Sequence, residues 1–459
     1  MVTHGSYSST GHKFGGRHPR ILPGCHSRGQ AAGDQAFCPI SRRRLLQEAG
    51  ASLAGLLVAK AGLGQAVKEA PPRRPNLADR APTSPVAIRR CRSYDPQEVY
   101  RELSAAIDAV GGLRDLVAGK TVVVKVNMTG PVRDFDGRPA SETFHIHPTF
   151  VEAFCALADQ AGARRIVIVE ALYYREPMEE ILRKAGWDLN RLQSAGGHKV
   201  IWENTKNMGS WKKYSRLTVP WGGYLYPAFD VNCWYEKADV LVSLAKLKDH
   251  GTAGVTMAIK NMFGILPTAL YGDDAPNEDS LRARVAILHM ARRKVPEGVP
   301  AEVGPEVPTD PLVRVPRVTV DIFGIRPADL CIVDGVLTIK NGEGFWNEGV
   351  ARIEPHLLIV GRNGVCTDAV CAAVMGYNPQ AEHGTFPFPG ENHLQLAAEA
   401  GLGTNDLSRI EVRGLSIKEA LCPFRTAPPR AAWEGFGAPI SGAHLATGCS
   451  GACIHAPWA

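Results

Sequence analysis

The sequence lacks most of the signatures that assign an activity at once. No GxSxG or HExxH occurs, which weighs against the common hydrolases and metalloproteases. The Walker phosphate loop is absent, and no GxGxxG stands directly between a strand and a helix. No CxxCxxCxxxC run is present, so the chain carries no ferredoxin-type iron–sulfur motif of its own. Tandem repeats are missing too, which excludes solenoids and propellers. The chain also has little surplus charge outside its beginning. Of 52 Lys/Arg and 46 Asp/Glu, eight bases and two acids fall within residues 1–66, so the remainder balances 44 against 44. A neutral body argues against broad capture of nucleic acid or of anionic membrane.

What is present begins with a leader. Residues 1–40 are Gly/His/Arg-rich without periodicity and read as a disordered pre-leader or as the product of a misplaced start codon. Residues 41–66 follow as SRRRLLQEAGASLAGLLVAKAGLGQA. Arg42, Arg43 and Arg44 precede a short Gly/Ala-rich apolar run, and Gly64 and Ala66 flank Gln65 in a small-x-small pattern. This predicts a bacterial twin-arginine signal peptide, a periplasmic or otherwise extracytoplasmic location, and the twin-arginine translocase as a transient partner. The alternative is an amphipathic surface helix. The run is too short and too interrupted for a stable membrane span, which needs about 20 apolar residues. That route carries folded proteins, which leaves room for a metal ion or an organic cofactor of unknown kind.

Residues 67–95 read as a linker and 96–425 as the main domain. Residues 426–459 form a Gly/Pro-rich tail in which Cys449 and Cys453 can form a disulfide or help His455 hold a metal. Most of the other cysteines sit singly in apolar runs and are expected as buried thiols. Within the domain, β-branched apolar runs (121–127, 164–171, 238–248, 328–335, 356–362) alternate with helical patterns. This predicts an α/β fold with a mostly parallel sheet flanked by helices. Gly and Pro break up residues 195–235, which read as a small antiparallel insertion, and 295–316 read as an extended loop.

Several of these strands end in polar residues. The first ends in Lys125 and Asn127, the second in Glu170, the third in Lys246, Lys248, Asp249 and His250, the fourth in Asp334, and the fifth in Arg362 and Asn363. In a parallel sheet the carboxyl ends share one edge, where ligands bind. A helix after the third strand adds Lys260 and Asn261. Crowded lysines favour anions and suit acid–base or Schiff-base chemistry. Lys246, Lys248, His250 and Lys260 are therefore the candidate catalytic groups. Lys125, Asn127 and Asn261, with Gly342 and Gly344 in a loosely phosphate-cradle-like loop, are candidates for cofactor or ligand binding. Asp334, Asp368, Glu170 and His147 are candidates for a metal, although His147 before Pro148 can equally begin a helix.

The pieces VVVKVN, HPTFVEAFCALADQAGARRIVIVEA, KADVLVSLAKLKDH, MAIKNMFG, IVDGV and CTDAVCAAVMGYNP, followed by HLQLAAEAGLGTNDLSRIEVRG, resemble the DUF362 (domain of unknown function 362) family over about residues 120–415. The resemblance implies an α/β domain with a Lys/His/Asp-lined site. It carries over to Lys125, Asn127, His147, Lys246, Lys248, His250, Lys260, Asn261, Asp334 and Asp368. Many relatives fuse this domain to a ferredoxin module, which this chain lacks. Three functional classes remain open: an envelope enzyme acting on a small anionic molecule, an accessory protein that captures a ligand or metal, and a redox protein with a separate iron–sulfur partner.

Overall fold

The computed structural model describes residues 76–206, 213–304 and 307–425; the leader and the Cys449/Cys453 tail lie outside them. Eight strands form the main sheet: β1 (Val86–Arg90), β2 (Thr121–Val126), β3 (Arg165–Glu170), β4 (Val200–Asn204), β5 (Val240–Lys246), β6 (Leu330–Gly335), β7 (Leu357–Gly361) and β8 (Val412–Gly414). Their order is β8-β1-β7-β6-β5-β2-β3-β4. Every neighbouring pair is parallel except the two that involve β7, which runs against both β1 and β6. The expected α/β class is thus observed, with one reversed strand.

Five helices matter for the site: α1 (Pro96–Ala109), α2 (Pro148–Gln160), α3 (Ala258–Asn261), α4 (Pro311–Ile325) and α5 (Gly364–Val374). The Asp95 carboxylate caps α1 by accepting from the Gln97 and Glu98 N–H groups, and Pro96 supplies the first turn. Gly111 and Gly112 take left-handed φ and stop the helix after Ala109. One sheet face, including Val122, Val124, Ile166, Val242 and Leu244, packs with the apolar stripe of α1 and with α2. The other face, including Val123, Val167, Leu241 and Val333, packs with α3, α4 and α5. Burial on both faces explains why the strands show no polar alternation.

Three boundaries differ from expectation. The proposed linker 67–95 contains β1, held between β8 and β7, because the Val86–Ile88 run has enough apolar surface to join the sheet. Val200–Asn204 is the edge strand of the main sheet, so the antiparallel insertion shrinks to the hairpin Tyr214–Thr218/Ala228–Asn232. The supposed loop 295–316 gives way to α4 at Pro311. Asp310 caps that helix, and its buried face overrides both the β-branched composition and Pro316. The seven cysteines among the described residues are free, and five of them are buried. No helix among the described residues is long and apolar enough to cross a membrane.

Candidate functional site

The parallel strands deliver their carboxyl ends to one edge, and four lysines gather there. Two are locked into ion pairs. Lys246, the last residue of β5, lies in register with Asp334 of β6. Its Nζ donates to the Asp334 carboxylate at 2.8 Å, to the Tyr94 hydroxyl at 2.9 Å and to the Ser141 carbonyl at 2.9 Å. All three donor positions of the ammonium are used. Lys125 of β2 pairs with Glu170 at 2.8 Å and also donates to the Val126 carbonyl and Asn261 Oδ1. Glu170 accepts further N–H bonds from Met128 and Ala171. Burial lowers the pKa of both lysines and the partner carboxylates oppose it. Gly264 closes over the Lys125–Glu170 pair: a Cβ there would stand 2.9 Å from Lys125 Nζ.

The other two lysines have no carboxylate within 4 Å among the described residues. Lys248 donates only to neutral acceptors, the Phe144 carbonyl at 2.8 Å, Asn127 Oδ1 at 3.2 Å and the Glu343 carbonyl at 3.2 Å. Lys260 has no hydrogen-bond acceptor among the described residues; its ammonium lies 3.9 Å from the centre of the Phe263 ring. Burial, partly offset by the nearby Glu343 charge, brings each of these lysines down from 10.5 to about 7. Each can gain or lose a proton near neutrality.

Three groups absent from the sequence-based candidates complete the edge. Glu343 places its carboxylate 4.0 Å from His250 Nδ1, where it accepts from the Gly251 N–H at 3.1 Å and the Trp346 indole at 2.9 Å. Burial opposes its charge, and the Gly251 and Trp346 N–H groups favour it. Arg284 is buried, with Nε on the Leu266 carbonyl, Nη1 on the Tyr173 hydroxyl, and Nη2 without a partner among the described residues. His289 packs against the Phe263 ring at 5.5 Å and, chiefly through burial, falls to about 3. Arg284 and His289 flank and end a single π-helical turn, Val285–His289, and Glu343 lies in a Gly-rich loop, so no periodicity marks them. The Gly-rich loop itself was the one available signal.

Several expected roles change. His250 is not placed as a base. Its Nδ1 accepts from the Thr252 and Ala253 N–H groups, so the neutral ring carries its proton on Nε2. Burial keeps it neutral, at about 3. Asn127 and Asn261 hold lysines: Asn127 accepts from Lys248, and Asn261 ties Lys125 to Ser243. Gly342 and Gly344 do not cradle an anion; Asn347 and Trp346 fill the space beside them. The proposed metal set does not converge. Asp334 serves Lys246 and Tyr94, and Glu170 serves Lys125. Asp368 of α5 accepts from the Ala258 and Ile259 N–H groups at 2.8 Å and fixes the start of α3, while burial raises it to about 8. His147 stacks on Tyr94 and uses Nδ1 to cap α2. Among the described residues no three His, Cys, Asp or Glu side chains are grouped to hold a metal. Arg362 and Asn363 are carried away by the reversed β7. Arg362 reaches the Gly111 carbonyl and Asn363 caps α5. Surface clefts of about 340 and 400 Å3, near Asp108 and near Asn76, are lined by none of these lysines.

No curated protein matches the sequence. Likeness to solved structures is weak, as two of them show. A protein from Thermotoga maritima is 13% identical, with a TM-score of 0.32 over 59% of this chain and 56% of that one. The lactate racemase apoprotein from Thermoanaerobacterium thermosaccharolyticum is 15% identical, with a TM-score of 0.30 over 61% and 54%. The chain thus spans little more than half of either structure, and likeness at this level carries no argument about activity. The family model described as "Domain of unknown function (DUF362)" matches residues 122–373. That stretch is more than half of the chain and contains all four lysines, Arg284 and Glu343, so the protein belongs to the DUF362 family.

Proposed function

We propose that the protein is an exported enzyme that binds a small anionic substrate at this edge and moves a proton with Lys260. One observation carries the reading: Lys248, Lys260 and Arg284 are buried basic groups, Lys260 within electrostatic reach of both the others, and the carboxylate that acts most on the two lysines, Glu343, pairs with neither within 4 Å. Buried charge of one sign is costly unless something neutralises it. A carboxylate or phosphate would supply the missing charge and would accept a hydrogen bond from His250 Nε2–H, while Lys248, whose three N–H groups are already taken by protein acceptors, would contribute its charge. Lys260, near 7, is half deprotonated at neutral pH and suits a general base. A substrate X–H bond would break, its proton would pass to the Lys260 amine, and the negative charge left behind would be met by Lys248. Lys246 serves this site as scaffold, since its ammonium is fully engaged.

The test is calorimetric titration of the full chain with acetate and with inorganic phosphate at pH 7. Both should bind, and Lys260→Met should weaken them at least tenfold, about 1.4 kcal/mol, with unchanged circular dichroism. Equal binding by parent and variant rejects the site. Incubating bound acids in D2O separates turnover from capture: deuterium in the recovered acid indicates proton transfer, and its absence reduces the reading to ligand capture. Export rests on residues 41–66. Replacing Arg42, Arg43 and Arg44 together with lysine should retain the chain in the cytoplasm, and unchanged export would remove that part of the proposal.

A further inference from the structure

Arg284 adds a requirement that the four lysines alone do not impose. It enters from a segment remote from every strand end and is almost wholly buried. Two of its three nitrogens are anchored, one by the Leu266 carbonyl just beyond Lys260 and one by the Tyr173 hydroxyl just beyond Glu170. The third, Nη2, is buried with no acceptor among the described residues. Native proteins leave few buried donors unsatisfied, and a charged one is the most costly to leave so. The guanidinium lies within electrostatic reach of Lys260, Lys125 and His289. It is held rigidly at two points with its free N–H group on the third, which is how a planar fork is prepared for an anion.

The balance of charge agrees. With Lys248 and Lys260 protonated, the form an arriving anion favours, the five cations Lys125, Lys246, Lys248, Lys260 and Arg284 face Glu170, Asp334 and Glu343, leaving two positive charges unmatched. The unmatched charge has two centres. One lies at Lys248 beside His250. The other lies at Lys260 and Arg284, over Phe263 and beside His289.

We infer that the substrate is a small dianion, with one anionic group met by Lys248 and His250 and the second by Arg284. The inference rests on the anion-site reading above. A dicarboxylate and a phosphorylated carboxylic acid share this chemistry, and the titration separates them.

The full chain is titrated with acetate, inorganic phosphate, succinate and phosphoglycolate at pH 7. Succinate or phosphoglycolate should bind at least tenfold more tightly than acetate. Preference for succinate identifies the second group as carboxylate, and preference for phosphoglycolate identifies it as phosphate. Arg284→Met should bring the ratio of dianion to acetate affinity down to within about twofold. If that variant melts well below the parent, Arg284→Lys replaces it; a lysine keeps the charge but loses the fork, and an intermediate ratio is expected. Monoanions binding as well as dianions in the parent, or a ratio unmoved by either substitution, overturns the inference and leaves the single-anion site standing. Failure of every probe to bind overturns both.

Discussion

Replacing Lys260 with methionine should make the protein more stable. The ammonium lies on the Phe263 ring with no acceptor among the described residues, and burial lowers its pKa from 10.5 to about 7. In the unfolded chain the same lysine keeps its proton up to about 10.4. Between about 7 and 10.5 the unfolded state therefore binds more protons than the folded state, and stability rises with pH across that window. At pH 7 this difference opposes folding by about 4 kcal/mol. Methionine fills nearly the same volume, packs against the Phe263 ring and carries no charge. Buried charges replaced by apolar groups of similar shape typically return about 1–4 kcal/mol, and Lys260→Met should fall in the upper half of that range. Denaturant titrations of parent and variant at pH 7 and pH 10 measure it. The advantage of the variant should be largest at pH 7 and shrink toward pH 10.5, where the lysine is neutral in both states. A variant less stable than the parent at pH 7, or an advantage independent of pH, would mean that the ammonium has a partner. No missing anion would then be needed beside Lys260.

Three further outcomes follow from the same geometry. Lys246→Met should behave oppositely to Lys260→Met, losing about 3–5 kcal/mol because Asp334 is left buried and unpaired; the double variant Lys246→Met/Asp334→Leu should recover most of that loss in thermal melts. Glu343→Gln removes the carboxylate that acts most strongly on Lys248 and Lys260, and should tighten phosphate binding about tenfold by calorimetry, a change of about 1.4 kcal/mol; weaker binding would mean that Glu343 belongs to the ligand-holding set. Binding of an anion beside lysines held near 7 raises their pKa, so the complex should take up protons at pH 8. Titrations in buffers of different ionisation enthalpy read that uptake, and proton release would contradict the assignment.

The sheet and its polar edge were legible because a strand buried on both faces leaves a continuous apolar run and then a polar exit. Four of the five expected strand ends, those of β2, β3, β5 and β6, do meet. The fifth does not, because strand direction is not written in a strand's own residues. Leu357–Gly361 reads like its neighbours, yet its reversal sends Arg362 to the opposite edge. β1 was hidden for a related reason: five residues between polar segments carry too little pattern to distinguish a strand from a linker. Arg284 and Glu343 sit where no period exists. Their importance follows from what the fold lacks around the lysines, which only coordinates disclose.

The four lysines looked alike in the sequence and differ in the structure for one reason. A lysine inside a parallel ladder has a neighbouring strand at fixed register, so an acid on that strand can neutralise it. Asp334 stands opposite Lys246, and Glu170 follows Val169, the register partner of Lys125. Lys248 and Lys260 lie beyond the last ladder positions, on a tight hairpin approach and on α3, where register supplies no partner. The fold instead spends Asp368 on the backbone of α3 and Asn127 on Lys248, holding both lysines in place without neutralising them. A protein that needed these lysines only for stability would do better with apolar residues at the same positions. Buried, positioned and unneutralised cations make physical sense where the neutralising charge arrives from outside and leaves again.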